Sequence, residues 1–371
     1  MKYYIIAGEA SGDLHGAALM NGLFRADSCC DIRFWGGDLM AAEGGVMVRH
    51  YKDTAVMGFT EVIGKAGAIL NNLKLCRKDI LKYSPDAVIL IDYPGFNLRM
   101  ARFAKSKGYR VFYYIPPKVW ARGQRRISLL KRCTDCVFSI FPFEYDYLSA
   151  RGVRVRYAGN PLVDMVAAHR FSPVVEDGPV IALLPGSRHA ELKFLMPRFA
   201  RLESLVRSDS RFDGYRLVVA ASPSMRAGDY AAYLPEETSI QIVCGRTYDV
   251  LKQADAAVIC SGTASLEAAV IGTPQVVCYG FSAITYAVAR LVVRGIRYIS
   301  LANLIMDRPL FRELIQSMAS PENMLSSLVE LLPGSTYREE MLSGYRELRD
   351  RLGEEGAAAR VAEAVVAEIK N

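Results

Sequence analysis

One feature of this chain limits its fold more than any other. Short, continuous apolar runs alternate with longer stretches of helical period along almost its whole length. Strands that are apolar at every position, rather than at every second one, belong to parallel sheets covered on both faces. One set of runs comprises Tyr3–Ala7, Ile32–Trp35, Ala87–Ile91, Val111–Ile115, Val137–Ile140 and Val155–Tyr157. A second comprises Val180–Leu184, Leu217–Ala221, Ile240–Val243, Ala257–Ile259 and Gln275–Tyr279. With 371 residues, too many for one ordinary core, the pattern predicts an α/β chain of two Rossmann-like, doubly wound domains facing a central cleft. The polar, proline-flanked connection from Gly159-Asn160-Pro161 to Asp177-Gly178-Pro179 carries the boundary, giving domains over 1–165 and 166–344. Residues 345–371 read as one tail helix whose apolar row, Val361, Ala364, Val365 and Ile369, needs a partner in the first domain or in a second subunit.

Several function classes drop out on composition. Hydrophobic residues at 51% and charged residues at 23% describe a globular chain, and no apolar run approaches the ~18 residues that span a bilayer. The start reads as a first strand entering a glycine turn and lacks the features of a signal peptide, so a cytoplasmic protein is expected. Cys133 and Cys136 form a lone C-x-x-C pair, the four histidines are not spaced for a metal, and no D-x-D pair occurs. Neither a metal nor a cofactor is expected. The net charge of +7 is concentrated in Arg122-Gly-Gln-Arg125-Arg126, Lys131-Arg132 and the segment from Lys65 to Lys82. Without an aromatic-and-basic nucleic-acid motif, the basic surface suits an anionic membrane or a phosphorylated substrate.

Ligands of open parallel sheets bind beyond the carboxyl ends of the strands, and four such ends are informative. Gly8-Glu9-Ala10-Ser11-Gly12-Asp13 follows the first run, where small residues allow close approach of a ligand or make a plain capped turn. Asp92 ends the run Ala87–Ile91, placed either to act as a general base or to cap the next helix; Asn97 follows it. Pro185-Gly186-Ser187-Arg188, with Glu191 beyond it, forms a strand–turn–helix start able to cradle phosphate, Arg188 adding a fixed cationic fork. Ser261-Gly262-Thr263 opens another helix in the same way, and Glu267 sits one turn on, placed to accept bonds from ribose hydroxyls.

These segments carry a resemblance. Ala7 to Asp13, Val56-Met57-Gly58, Tyr113-Tyr114-Ile115, Pro117-Lys118-Val119-Trp120, Leu184 to Arg188, Ser261 to Glu267 and Tyr298 to Leu304 are similar, in order, to the lipid-A-disaccharide synthases of glycosyltransferase family 19. The resemblance implies a GT-B architecture. It also implies transfer from UDP-2,3-diacylglucosamine to 2,3-diacylglucosamine 1-phosphate (lipid X), giving a β-1,6-linked disaccharide phosphate and UDP. Asp92 then matches the family's base, Arg188 its phosphate-binding arginine and Asn303 a polar residue needed for activity, with Trp120 among the substrate contacts. A homodimer with exchanged tails and a peripheral place on the inner leaflet of the cytoplasmic membrane are implied as well. The chain departs from the family at Gly95, Pro116, Arg122 and Asn160, where Asp, Ser, Trp and His are usual.

Phe59, Val62, Ile63, Ile69, Leu70 and Leu73 recur at helical spacing, flanked by lysine and arginine. Such a stripe fits either a membrane-contact surface or a face packed on the first sheet. Two rival functions remain: a UDP-sugar 2-epimerase of the same architecture, and a non-catalytic nucleotide-sugar binding protein.

Overall fold

The computed structural model of the chain describes residues 1–53, 62–120, 124–280 and 297–371. Two compact units divide it: Met1–Pro161 with Glu354–Asn371, and Leu162–Gly353. Each is built on one parallel sheet.

In the first unit the strands are β1 (Lys2–Ala7), β2 (Asp31–Gly36), β3 (Val46–His50), β4 (Ala87–Ile91), β5 (Arg110–Tyr114), β6 (Cys136–Ser139) and β7 (Val155–Tyr157). They lie in the order β3-β2-β1-β4-β5-β6-β7, all parallel. β4 is buried at all five positions, so its two faces feed two separate cores. Val88 and Leu90 join Leu73, Cys76, Ile80 and Met100 on one face, while Ile89 and Ile91 join Leu19, Leu23, Val361 and Val365 on the other. The helices are α1 (Ala10–Ala26), α2 (Asp38–Glu43), α3 (Val62–Tyr83), α4 (Pro94–Ser106), α5 (Gln124–Cys133) and α6 (Pro142–Ser149).

The second unit opens with α7 (Pro161–Ala168) and repeats the plan. Its strands are β8 (Val180–Leu184), β9 (Arg216–Ala221), β10 (Gln241–Cys244), β11 (Ala256–Cys260), β12 (Gln275–Tyr279) and β13 (Glu313–Ile315). Their order is β10-β9-β8-β11-β12-β13, again parallel. The helices that matter for the site are α8 (His189–Arg207), α9 (Ala227–Ala231), α10 (Thr247–Gln253) and α11 (Thr263–Ile271).

In both sheets the order of strands reverses at one point, between β1 and β4 in the first and between β8 and β11 in the second. A crevice opens at such a switch point, beyond the carboxyl ends of the two strands. The four loops singled out in the sequence are the four that follow these strands.

Three sequence expectations are corrected. The apolar-run reading misses β3 and β13, which form sheet edges and are only partly buried. An edge strand is solvated on one side and does not need a continuous apolar run. The tail is two helices rather than one, because Gly353 and Gly356 interrupt it. Thr336–Leu352 stays with the second unit, while Ala357–Lys370 packs on α1 and buries Val361, Ala362, Val365 and Val366. Glu368, 7% exposed, pairs there with Arg154 and Arg156 at 2.8 and 2.6 Å.

The third correction concerns the stripe on α3. Leu73 is core, 4% exposed and packed with Cys76 and Ile80 against the sheet, whereas Ile69 and Leu70 are 39% and 58% exposed. One helix cannot turn its whole apolar row both inward and outward, and Leu73 lies on the inward side. Phe59 lies outside the described residues, as do Val56-Met57-Gly58, Arg122 and the side chains of Val62 and Ile63. Among the described residues, no helix is long and apolar enough to cross a membrane.

Candidate active site

At the first switch point, Asp92 follows β4 with its backbone in the left-handed region, φ 44°, and Tyr93 repeats this at 47°. Ile115, at the end of the neighbouring β5, has φ 60°, an unusual conformation for a β-branched residue. Strain of this kind persists only where surrounding bonds enforce it, and it gathers at functional sites. The enforcing bonds are present. The Asp92 N–H donates to Tyr114 O at 3.1 Å, and its carbonyl accepts from Tyr113 Oη at 2.7 Å and Asn97 Nδ2 at 2.9 Å. Asn97 is fully buried, and its amide also reaches the carbonyls of Ile6 and Ile91, tying the β1 and β4 ends together. It holds the turn from inside.

The half-buried Asp92 carboxyl is freer than its backbone. Burial first, and the nearby Glu9 charge second, raise its pKa above the usual aspartate value, while Lys118 and a bond from the Tyr93 N–H pull it back. A carboxylate with a raised pKa is the form suited to taking a proton near neutral pH.

The turn after β1 is built around Asp92's neighbour. A Cβ on Gly8 would lie 2.2 Å from the Tyr93 ring, so only glycine lets that ring pack there. Gly12 sits against Ala7, where a Cβ would lie 3.2 Å from that side chain. Asp13 is 3% exposed and spends its carboxylate on the N–H groups of Gly37, Leu39 and Met40, capping α2. Ser11 and Glu9 are the exposed polar groups of this turn. Trp120 follows β5 and donates from Nε1 to Glu144 Oε1 at 2.9 Å. Sequence reasoning passed over Glu144, which is 3% exposed at the start of α6 and has its pKa pushed up to about 7 by burial.

At the second switch point, Gly186 adopts φ 102° after β8, and a Cβ there would strike Glu191 Oε2 at 2.2 Å. That carboxylate accepts from the N–H groups of Ser187 at 2.9 Å and Arg188 at 3.2 Å, and pairs with the Arg188 guanidinium at 3.2 Å. Glu191 thus caps α8 and occupies the donors that the sequence reading offered to phosphate. The Arg188 side chain keeps this one ion pair and is otherwise 77% exposed. Tyr230, fully buried and invisible to motif reasoning, props the turn by donating to Gly186 O at 3.2 Å.

The start of α11 differs. Gly262 is its N-cap, no side chain caps it, and the chain begins the helix with Thr263, exposed. Uncapped N–H groups at a helix start, with the positive end of the helix dipole, suit an anion. Ser261 is fixed by its N–H bond to Cys278 O at 3.1 Å. Glu267 lies one turn on, its pKa pushed up to about 7 by burial. The charges of Arg188 and Glu191 both act on the Cys260 thiol at the end of β11, so the β8 and β11 loops lie side by side.

Asn303 lies on the helix Leu301–Met306. It is 1% exposed, donates to Phe311 O and Glu313 Oε1, and accepts from the Leu310 N–H at 2.8 Å. Its side-chain polar atoms are thus bonded within the fold, to the Leu310–Glu313 segment. Among the described residues, no three His, Cys, Asp or Glu side chains are gathered to hold a metal ion.

Two Rossmann-like units, each with its own switch point, are the building plan of the GT-B fold. Solved structures of that fold match the chain end to end. A putative UDP-N-acetylglucosamine 2-epimerase from Listeria monocytogenes has a TM-score of 0.70 at 14% identity, covering 100% of this chain and 96% of its own. The calicheamicin glycosyltransferase has a TM-score of 0.64 at 15% identity, covering 100% and 98%. At such identities these likenesses show the fold alone. Sequence is more specific: the lipid-A-disaccharide synthetase profile matches residues 3–365. Lipid-A-disaccharide synthases of Myxococcus xanthus and Syntrophus aciditrophicus are 38% and 36% identical, over 98% and 96% of this chain and 97% and 95% of theirs. The chain belongs to the lipid-A-disaccharide synthetase family and is a glycosyltransferase.

Proposed function

We propose that the chain joins UDP-2,3-diacylglucosamine to 2,3-diacylglucosamine 1-phosphate (lipid X) by direct inverting displacement. Asp92 removes the proton from the acceptor's 6-hydroxyl while that oxygen attacks the donor's anomeric carbon. The bond from that carbon to the UDP oxygen breaks, giving the β-1,6-linked disaccharide phosphate and UDP. Arg188 and the uncapped start of α11 receive the charge that develops on the diphosphate, and Glu267 accepts from the ribose hydroxyls. Glu9, Ser11, Trp120, Ser187, Ser261, Gly262 and Thr263 complete the substrate contacts. The observation that carries this reading is the strained, half-buried Asp92 at a switch point, its backbone held by Tyr114, Tyr113 and Asn97 and its carboxyl of raised pKa.

Both substrates are acylated, so the enzyme works at a membrane. Ile69 and Leu70 on α3, exposed beside the exposed Lys74, Lys78 and Lys82, support a peripheral place on the inner leaflet of the inner membrane. A homodimer with exchanged tails would reuse between two copies the contacts that α1 makes with Ala357–Lys370. Light scattering giving twice the 41.1 kDa chain mass supports the exchange, and a single mass overturns it.

The test of the reaction is incubation with both diacyl sugars and identification of product by mass. A disaccharide phosphate formed in step with UDP is expected. Conversion of the UDP-sugar alone to a second sugar epimer would favour the epimerase instead.

A further inference from the structure

The carboxyl ends of three adjacent strands, β4, β5 and β6, carry Asp92, the segment Pro116–Trp120 and Glu144 in that order. The middle segment is set by its own geometry. Ile115 turns the chain in a left-handed conformation, and its N–H is bonded to Phe138 O at 3.1 Å. A tight turn then bonds the Val119 N–H to Pro117 O at 2.6 Å, with Val119 buried among the core residues.

Trp120 is held against the start of α6 in two ways. Its ring meets Phe143 edge-on at 5.1 Å, and Phe143 in turn stacks on Phe141 at 5.6 Å. Its Nε1 donates to Glu144 Oε1 at 2.9 Å, leaving the indole only partly buried. Glu144 is 3% exposed, and among the described residues its second oxygen, Oε2, meets no hydrogen-bond partner. A glutamate three residues into a helix ordinarily serves only to cap it. This one also carries an indole from a neighbouring loop. The Lys118 ammonium, exposed between the two strand ends, lowers the proton affinity of both Asp92 and Glu144. The three loops therefore share one electrostatic neighbourhood.

We propose that Glu144 is a positioning residue for the acceptor, fixing the Trp120 indole so that its open face receives the acceptor sugar beside Asp92. The inference rests on the reading of the chain as a transferase with a separate acceptor. An indole face is a good platform for a sugar ring only when its rotation is stopped, and the Nε1 bond stops it.

The test is a double-mutant cycle of Glu144→Ala and Trp120→Phe, read as separate KM values for the two diacyl sugars. Each single variant is expected to raise the acceptor KM by about tenfold while leaving the donor KM within about twofold. The double variant should be no worse than either single, because both remove one bond. Glu144→Gln, whose amide oxygen still accepts from Nε1, should restore an acceptor KM near the wild type. A purely structural Glu144 would give unchanged KM values for both sugars with a reduced active fraction, and that overturns the proposal. If Glu144→Ala does not fold, Trp120→Phe carries the test, and an unchanged acceptor KM in it is fatal. Fluorescence of wild type against Trp120→Phe, titrated with 2,3-diacylglucosamine 1-phosphate and with UDP, gives a reading that needs no turnover. Quenching of Trp120 by the acyl sugar and not by UDP supports the proposal. Wild-type protein that makes no disaccharide overturns the transferase reading, whereas normal turnover with unmoved acceptor KM in the variants overturns the role of Glu144 alone.

Discussion

Glu267→Gln tests whether the nucleotide side of the site stores an unfavourable charge in the fold. Burial raises the Glu267 pKa from its ordinary 4.5 to about 7. At about 1.4 kcal/mol per pH unit, ionising the carboxyl in the folded chain costs at most ~3.5 kcal/mol. Glu267 is only half-buried, and solvent screening trims this to ~1–2 kcal/mol. The sign follows from which state holds the proton more tightly. The unfolded chain ionises near 4.5 and the folded one near 7, so stability is lost as pH rises through that window and stays lost above it. Glutamine carries no such charge. At pH 5 the variant and the wild type should melt close together; at pH 8 the variant should melt higher by about 2–8 °C, at ~2–4 °C per kcal/mol for a unit of this size. Differential scanning calorimetry across pH 5 to 8 reads this directly. A melting difference that does not change with pH refutes the account. In the same variant, the ribose contact proposed for Glu267 predicts UDP binding weakened by about tenfold or more, read by calorimetry.

Asp92→Asn should keep the fold and lower turnover by at least about 10²-fold, as loss of a general base does, and near-normal turnover in a folded variant removes Asp92 from that part. Because burial and Glu9 raise the Asp92 pKa, the wild-type kcat/KM should fall on acidification at a pH above the usual aspartate value, a limb absent from the residual activity of the variant. Arg188→Ala should weaken UDP binding and cost about 3–4 kcal/mol of transition-state stabilisation, with chelator leaving the wild type active; magnesium-dependent recovery after chelation would contradict this. On α3, Leu70→Ser should reduce sedimentation with anionic vesicles at unchanged melting temperature, while Leu73→Ser should lower stability by about 2–4 kcal/mol, and the reverse pattern would put the surface and the core on the wrong residues.

Much of this site is written in short stretches of sequence. The strand-ending positions of Asp92, Gly186 and Ser261 follow from apolar runs meeting small residues, because a parallel strand needs both its faces covered and a ligand needs room at its end. The order of the two sheets places those loops in pairs, which a reader of the sequence can expect once the alternation of strand and helix is seen. What a side chain does at its position is another matter, since it depends on atoms distant in the chain. Asn303 and Asp13 look like exposed polar groups in the sequence, yet both spend their polar atoms on groups brought to them by folding. Glu191 fills the loop that seemed shaped for phosphate, and Glu144 gains its weight from an indole 24 residues away. The periodicity of α3 gave one stripe, but only the packed sheet could divide it into an inward Leu73 and an outward Leu70. Local sequence determines which elements form and where their ends fall, because propensity and periodicity act over a few residues. Burial, pKa and the partner of each polar atom are set by long-range packing, and those are the quantities that decide which residues remain free to meet a substrate.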